Sequence, residues 1–191
     1  MSCALLIIDV QNDFCEGGSL AVEGGAAVAA SITELLADPA NASRWTSTIL
    51  TRDWHIDPGN HWVLPGEEPN FVDTWPVHCQ AETTGAAFHP SLQANPDEIF
   101  SKGLQGACYS GFEGQADSDH ASLHDWLETR GVHQVEIVGL ATDHCVRATA
   151  LDAVSAGFTA TVLLEYCAGV ATDTTAAALT AMANAGVVLV R

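Results

Sequence analysis

The sequence QVEIVGL, at residues 134–140, gives the clearest indication of the fold. Its β-branched and apolar residues predict a buried strand, and the pattern that follows predicts a helix from about residue 143 to 155, which Gly157 ends. The sequence TATVLL at residues 159–164 then predicts another strand. Because the helix returns the chain to the edge of the sheet from which the first strand started, the two strands should run parallel.

The same alternation of strand and helix continues on both sides of this unit. On its carboxyl side, the sequence predicts an alanine-rich helix, capped by Thr172 or Asp173 and ending at Gly186, before a last strand at residues 187–190. On its amino side, the remaining predicted elements are strands at residues 4–8, 48–51 and 98–101, a helix over residues 28–36 that stops before Pro39, and a helix around residues 123–127 capped by Ser118 or Asp119. These elements predict an α/β fold, a three-layer doubly wound (Rossmann-like) domain with a mainly parallel sheet of about six strands.

The chain has 191 residues, which fits a single domain over residues 1–191. Between the second and third predicted strands, residues 54–97 form a long irregular region that holds most of the prolines. Connections of this length inside compact domains usually carry function. We therefore expect part of the functional site in this region.

The composition excludes several classes of partner. Six Lys and Arg residues against 24 Asp and Glu residues give a formal charge of −18, whereas nucleic acids and anionic membranes both attract clustered cations. No segment has the roughly 20 apolar residues that a membrane span needs, and the amino terminus does not have the pattern of a signal peptide. The six cysteines form no CxxC pair, which argues against a zinc finger or a disulfide scaffold and predicts free thiols in the cytoplasm.

Chemically useful side chains follow the predicted strands. Asp9, Asp53 and Lys102, the only lysine, each come at the carboxyl end of a strand, and Cys145 lies in the turn after residues 134–140. Ligands of open α/β sheets bind beyond these strand ends. Together the four residues therefore predict an acid, a base and a nucleophile on one rim.

Cys145 is the candidate nucleophile. At the start of a helix, the dipole and the free backbone N–H groups favour a thiolate and can hold an oxyanion. Asp9 can take the thiol proton and later deliver it to an amine leaving group, while Lys102 would stabilise both anions but lower the basicity of Asp9. The alternative is that Cys145 only packs the first helical turn. The remaining cysteines are interpreted as structural: Cys3, Cys15, Cys79, Cys108 and Cys167.

A second group of residues predicts a metal site. Asp53 and His55 alternate along the chain and so project to the same side, and His61 and His78 come from the long loop region. Four nitrogen and oxygen ligands of this kind suit one divalent zinc, iron or manganese ion and leave positions open for water or substrate. The histidines interpreted as solvated are His89, His120, His124 and His133, and the tryptophans that either pack or wall an aromatic pocket are Trp54, Trp62 and Trp75.

Long motifs along nearly the whole chain resemble the nicotinamidase/pyrazinamidase group of the isochorismatase-like cysteine hydrolases. They are IIDVQNDF at residues 7–14, FCEGGSL at 14–20, TRDWH at 51–55, WPVHC at 75–79, YSGFEG at 109–114 and GLATDHCV at 139–146. The resemblance implies the isochorismatase-like hydrolase fold and the hydrolysis of nicotinamide to nicotinate and ammonia in NAD salvage, with pyrazinamide as a surrogate substrate.

The resemblance also implies a role for individual residues. It matches Asp9, Lys102 and Cys145 to a catalytic triad. The metal ligands that it implies are Asp53, His55, His61 and His78. It further matches the backbone N–H groups of Ala141 and Cys145 to an oxyanion hole, with a cis peptide between Leu140 and Ala141. The residues that it places around the pyridine ring are Phe14, Trp75 and Tyr109, and the metal of that family helps to seat the ring nitrogen.

Three other functions stay open from sequence. A sister amidase could act on another small amide, such as a carbamoyl compound. The predicted metal ligands argue against this alternative, because the thiol chemistry itself does not need a metal. An isochorismate-cleaving enzyme fits less well, because its ether hydrolysis does not call for a cysteine nucleophile. A metal-binding or regulatory module of the same fold would leave Cys145 unreactive. The sequence leaves open which metal binds, how many chains assemble and which substrate is preferred in the cell.

Overall fold

The computed structural model describes residues 2–64 and 66–191, in which helices cover both faces of a central sheet. The strands are β1 (Ser2–Ile8), β2 (Ser47–Asp53), β3 (Glu98–Lys102), β4 (Gln115–Ala116), β5 (Val132–Leu140), β6 (Thr159–Ala168) and β7 (Val188–Val190). The α-helices are α1 (Gly25–Ala37), α2 (Leu123–Thr129), α3 (Arg147–Ser155) and α4 (Thr172–Asn184). Over these described ranges, no helix is both long enough and apolar enough to cross a membrane.

The sheet has the strand order β4-β3-β2-β1-β5-β6-β7. Every neighbouring pair is parallel except β3 and β4, which are antiparallel. The chain builds outward from β1 to one side and then from β5 to the other, so the order reverses between these two strands. The crevice at such a reversal is where ligands bind in doubly wound folds.

The predicted fold class is confirmed, with seven strands in the described chain where about six were expected. The additional strand is β4, which has two residues and pairs at the edge of the sheet. A strand this short gives no periodic pattern in the sequence. It adds nothing to the crevice between β1 and β5.

The apolar run at the start of the chain is buried on both faces of the sheet, as its composition predicts. Leu6 and Ile8 pack on the face covered by α2, α3 and α4, whereas Leu5 and Ile7 pack on the face covered by α1. All four side chains are completely buried. This double burial fixes β1 at the centre of the sheet and fixes the position of the residues that follow it.

The predicted cap of α2 is wrong, whereas the helix predicted from about residue 143 is present but has a π-helical first turn. The cap of α2 is Ser122, whose hydroxyl accepts the Asp125 N–H; Asp119 instead accepts the N–H of Ala121 in the preceding turn, and Ser118 donates to a glutamate on β3. The helix predicted from residue 143 begins as a π-helical turn, Thr142–Val146, and becomes α-helical only at α3. A period of 3.6 residues does not distinguish one wide turn from a regular one.

The predicted caps of α4 are also wrong. Thr172 and Asp173 lie inside the first turn, and the N-cap is Ala171, whose side chain cannot cap. The segment directly before this helix is bound by the side chain of Asp143, as described below.

We expect Gly139→Ala to destabilise the protein more than most glycine substitutions. Gly139 has φ of 115°, and a Cβ atom there would collide with the backbone of Ile8 on the neighbouring strand. The free energy of unfolding should fall by about 3 kcal/mol or more, because a buried backbone must move. Gly157→Ala is the matched control, since Gly157 also has positive φ but open space around it, and should cost about 1 kcal/mol. Equal losses in urea denaturation would contradict the close approach of β1 and β5.

Candidate active site

Four predicted residues meet at the carboxyl ends of adjacent strands. Asp9 directly follows β1, Asp53 and Lys102 are the last residues of β2 and β3, and Cys145 lies in the π-helical turn after β5. Asp53 and Lys102 are partners in the register of the β2–β3 pair. The sheet therefore brings together residues up to 136 positions apart in sequence, from position 9 to position 145.

Lys102 is a buried cation between two carboxylates. Its Nζ lies 2.8 Å from Asp9 Oδ2, forms an ion pair with Asp53 Oδ1 and lies 3.7 Å from Cys145 Sγ. Burial alone would lower its pKa, but the charges of Asp53, Asp9 and Cys145 raise the pKa of Lys102 well above its ordinary value. The side chain is therefore held as an ammonium, the form in which it orients both acids and the sulfur.

Asp9 is a stronger base than an exposed carboxylate. It is completely buried, and Thr51 Oγ1 donates a hydrogen bond of 2.6 Å to its Oδ1. Burial raises the pKa of Asp9, which outweighs the lowering by Lys102, and the nearby charge of Asp53 raises it further. The sequence leaves open whether the Lys102 cation makes Asp9 a weak base. In the structure, burial raises the pKa of Asp9 by more than Lys102 lowers it.

Cys145 rests as a neutral thiol. Burial raises the pKa of Cys145 well above its ordinary value, and although Lys102 lowers it, the charges of Asp9 and Asp53 and a hydrogen bond with Asp9 raise it again. The expectation that the helix start favours a thiolate is therefore wrong for the resting protein. The Lys102 ammonium contacts both Cys145 Sγ and Asp9 Oδ2, which places the candidate base, Asp9, beside the thiol.

The turn around Cys145 has the form that the resemblance implies. The Leu140–Ala141 peptide is cis. The carbonyl of Ala141 accepts the N–H groups of His144 at 3.0 Å and Val146 at 3.1 Å, so the intervening Cys145 N–H is not one of its donors. Ala141 and Cys145 both line one pocket, whose other walls are described below. Two backbone N–H groups at such a place suit an oxyanion.

Three predicted metal ligands converge beside this group. The ligand atoms of His55, His61 and His78 lie within 4.8 Å of one another, and all three residues are buried. His55 Nδ1 donates to the Gly103 carbonyl at 2.5 Å and His78 Nδ1 donates to the Pro76 carbonyl at 2.7 Å. Among the described residues, His55 Nε2 and His61 Nδ1 have no hydrogen-bond partner. Buried nitrogens that are aimed at one another without a proton donor fit a metal ion.

Asp53 connects the histidines to the lysine. Its Oδ2 lies 3.6 Å from His55 Nε2 and 4.0 Å from His78 Nε2, while Oδ1 faces Lys102. Although burial would raise it, Lys102 and the neighbouring histidines hold the pKa of Asp53 below its usual range, so this carboxylate is ionised.

Two of the imidazoles, unlike the Asp53 carboxylate, are held in their uncharged form. Burial, together with the neighbouring imidazoles, lowers the pKa of His61 to about 4, and burial also lowers the pKa of His78. Both rings are therefore neutral near pH 7, which is the form that binds metals. Three buried imidazoles and the Asp53 carboxylate are a donor set for a divalent transition metal.

Gln11, which has no predicted role, holds the backbone of Asp53 in place. Its buried side-chain amide accepts the N–H of Asp53 at 2.8 Å, donates to the Asp53 carbonyl at 2.8 Å and donates to the Ala86 carbonyl at 2.9 Å. The amide thus fixes both backbone groups of Asp53 and joins them to the long loop region. Its place in the motif at residues 7–14 is the only signal in the sequence.

Cys145 and two of the three convergent histidines, His61 and His78, line one pocket. The pocket is lined by Phe14, Leu20, Val22, Asp53, His61, Trp75, His78, Tyr109, Ala141, His144, Cys145 and Val170. Its walls are mainly apolar or aromatic, which suits a small flat ring. Phe14, Trp75 and Tyr109, which the resemblance places around a pyridine ring, all line this pocket, and Trp75 Nε1 donates to the Tyr109 hydroxyl at 3.1 Å.

Some pocket residues were not predicted. His144 packs edge-on against Trp75, with ring centroids 5.3 Å apart, and stacks on Tyr109 at 6.1 Å. Leu20, Val22 and Val170 complete the apolar wall. His144 adjoins Cys145 in the motif at residues 139–146, which could have indicated it; the aliphatic residues carry no comparable signal. Of the tryptophans, only Trp75 walls the pocket; Trp54 lies under the Arg52 guanidinium and Trp62 packs on His55.

A family comparison agrees with this geometry. The model of the isochorismatase domain matches residues 3–191. The chain belongs to the isochorismatase domain family. This isochorismatase-family chain is 51% identical over 188 residues to the nicotinamidase/pyrazinamidase of Mycobacterium tuberculosis, a match that covers 98% of this chain and 97% of the relative.

Solved structures of the family are also similar. The pyrazinamidase of Pyrococcus horikoshii in complex with zinc has a TM-score of 0.81 and 34% identity, with coverage of 100% of this chain and 99% of that chain. A protein of L. infantum in complex with nicotinate has a TM-score of 0.84 and 31% identity, with coverage of 100% and 92%.

Proposed function

We propose that this protein is a nicotinamidase, which hydrolyses nicotinamide to nicotinate and ammonia and also hydrolyses pyrazinamide. The observation that carries the proposal is that Cys145, held beside the ion pair of Lys102 and Asp9, lines the same aromatic pocket as two of the three convergent histidines, His61 and His78. The zinc and nicotinate bound by the family members in solved structures support it.

The pocket would hold the pyridine ring between aromatic side chains. Phe14, Trp75 and Tyr109 exclude water from the ring and set its plane. A divalent metal held by Asp53, His55, His61 and His78 would supply a Lewis acid for the ring nitrogen. Such positioning can contribute several kcal/mol to the reaction when the carboxamide is placed against the sulfur.

The first half of the reaction forms a thioester. Asp9 takes the proton of the Cys145 thiol, and Sγ attacks the carboxamide carbon. The N–H groups of Ala141 and Cys145 hold the negative charge that develops on the carboxamide oxygen. Lys102, 3.7 Å from Sγ, stabilises the sulfur while it is anionic. Asp9 then gives its proton to the departing nitrogen, and ammonia leaves.

The second half regenerates the thiol. Water attacks the thioester carbon while Asp9 accepts a proton from it, and the same backbone N–H groups hold the oxyanion. The C–S bond breaks, Asp9 returns its proton to Cys145, and the carboxylic acid that forms releases its remaining proton to solvent as nicotinate. Each proton that Asp9 accepts is thus returned within one half-reaction, which suits a carboxyl group whose pKa is raised by burial.

We further propose that the protein works in the cytoplasm on a small-molecule amide, in NAD salvage. The structure contains six free cysteines, which suit a reducing compartment. The formal charge of −18 disfavours nucleic acids and anionic membranes as partners.

An ammonia-release assay on a set of amides tests the proposed function. We expect nicotinamide and pyrazinamide to be hydrolysed, and benzamide, which has the same shape but no ring nitrogen, to have a kcat/KM about 100-fold lower. Metal content should be measured on the same samples. Hydrolysis of an aliphatic or carbamoyl amide in preference to nicotinamide would instead support the sister amidase.

A further inference from the structure

Asp143 connects the turn that carries Cys145 to the start of α4. Its Oδ1 accepts the N–H of Val170 at 2.9 Å, and its Oδ2 accepts the N–H of Ala171 at 3.3 Å and the hydroxyl of Thr174. The residue is 3% exposed. Three donors from one short segment therefore surround one buried carboxylate.

This carboxylate holds the segment directly before α4. The N-cap residue, Ala171, has no side-chain acceptor, and Asp143 accepts its backbone N–H from 28 positions earlier in the chain. A carboxylate beside a helix N-terminus is stabilised by the helix dipole. Although burial would raise it, the hydrogen bonds from Thr174 and Val170 hold the pKa of Asp143 below its ordinary value.

The two segments that Asp143 joins form parts of the same pocket. Ala141, His144 and Cys145, on either side of Asp143 in sequence, line the pocket, and Val170 lines it as well. The hydrogen bond to Val170 therefore links this wall of the pocket to the turn that carries Cys145.

We propose that Asp143 is a positioning residue, which holds the turn of Cys145 in register with the wall formed by Val170. The effect on catalysis rests on the proposed nicotinamidase function, whereas the effect on the two segments does not. Asp143 acts through the backbone of its neighbours and does not itself touch the substrate.

Asp143→Asn tests this role with little change in shape. Neither orientation of the amide can accept from both Val170 N–H and Ala171 N–H, because its NH₂ group must face one of them. We expect kcat for nicotinamide to fall about 10-fold or more, since small misplacements of reacting groups have large effects, and KM to rise. Metal content should stay at the wild-type level.

Asp173→Asn is the matched control. It removes the same charge from the first turn of α4, but Asp173 is exposed and accepts no hydrogen bond from the described residues. We expect wild-type kcat and KM. Thr174→Val, which removes one of the three donors, should give a smaller loss than Asp143→Asn.

Hydrogen exchange provides a readout that does not depend on activity. In Asp143→Asn, amides of residues 142–146 and 170–174 should exchange faster than in the wild type, while those of β2 should not change. Wild-type kcat in the variant, or a loss explained entirely by its unfolded fraction, would overturn the proposal. If the wild-type protein does not hydrolyse nicotinamide, the proposed function fails, and exchange alone decides: faster exchange in both segments supports the role of Asp143, and unchanged exchange overturns it.

Discussion

Cys145→Ala should abolish ammonia release from nicotinamide while leaving the bound metal in place. We expect kcat to fall by about 10⁴-fold or more, because no other group near the carboxamide can replace the attacking sulfur. The metal should remain, since the four proposed ligands do not include Cys145 and its sulfur faces Lys102. Ammonia production and metal analysis on the same sample measure both results.

The matched control is Cys108→Ala, a second cysteine near Lys102. Only the backbone carbonyl of Cys108 contacts the Lys102 ammonium, at 3.4 Å, so loss of its side chain should leave turnover close to that of the wild type. Turnover that persists in Cys145→Ala would defeat the assignment of the nucleophile. Loss of metal in that variant would indicate that the sulfur belongs to the metal centre.

His61→Ala should reduce both metal content and the hydrolysis of nicotinamide. His61 Nδ1 is buried without a hydrogen-bond partner among the described residues, which fits a nitrogen that binds metal. We expect kcat/KM to fall about 100-fold or more, because the ring of the substrate loses its anchor. Wild-type protein treated with a chelator should lose activity similarly and recover it when a divalent metal is added back.

The control for this variant is His133→Ala, because His133 is exposed and distant from the pocket lining. It should retain both metal and activity. Chelated protein that still hydrolyses nicotinamide at the wild-type rate would show that ring seating does not require the metal. The sister amidase would then be the better explanation of the thiol group.

The positions of residues at the carboxyl ends of the predicted strands were sufficient to predict which residues meet. Apolar runs identified the ends of β1, β2 and β3, and a parallel sheet places those ends at one edge. Asp9, Asp53 and Lys102 consequently lie within ion-pair distance, as expected. The convergence of His55 with His61 was predictable for a different reason, since both ligands come from one irregular region directly after β2.

Other features depend on contacts that a sequence pattern does not contain. The protonation of Cys145 is set by how completely the sulfur is buried and by two carboxylates from distant strands. The start of α4 is held by Asp143, which accepts the N–H of its N-cap residue, whereas a search for local caps finds Thr172 or Asp173. The amide of Gln11 is one polar residue among many until its partner, the Asp53 backbone, is known.

Rapid acid quenching of the wild-type protein during turnover of nicotinamide, followed by peptide mass mapping, tests the covalent route most directly. We expect one nicotinoyl group in thioester linkage on the peptide that contains Cys145, present from the first turnover and absent from Cys145→Ala. Hydrolysis that proceeds with no adduct at any time, or with an adduct on a different residue, would contradict it.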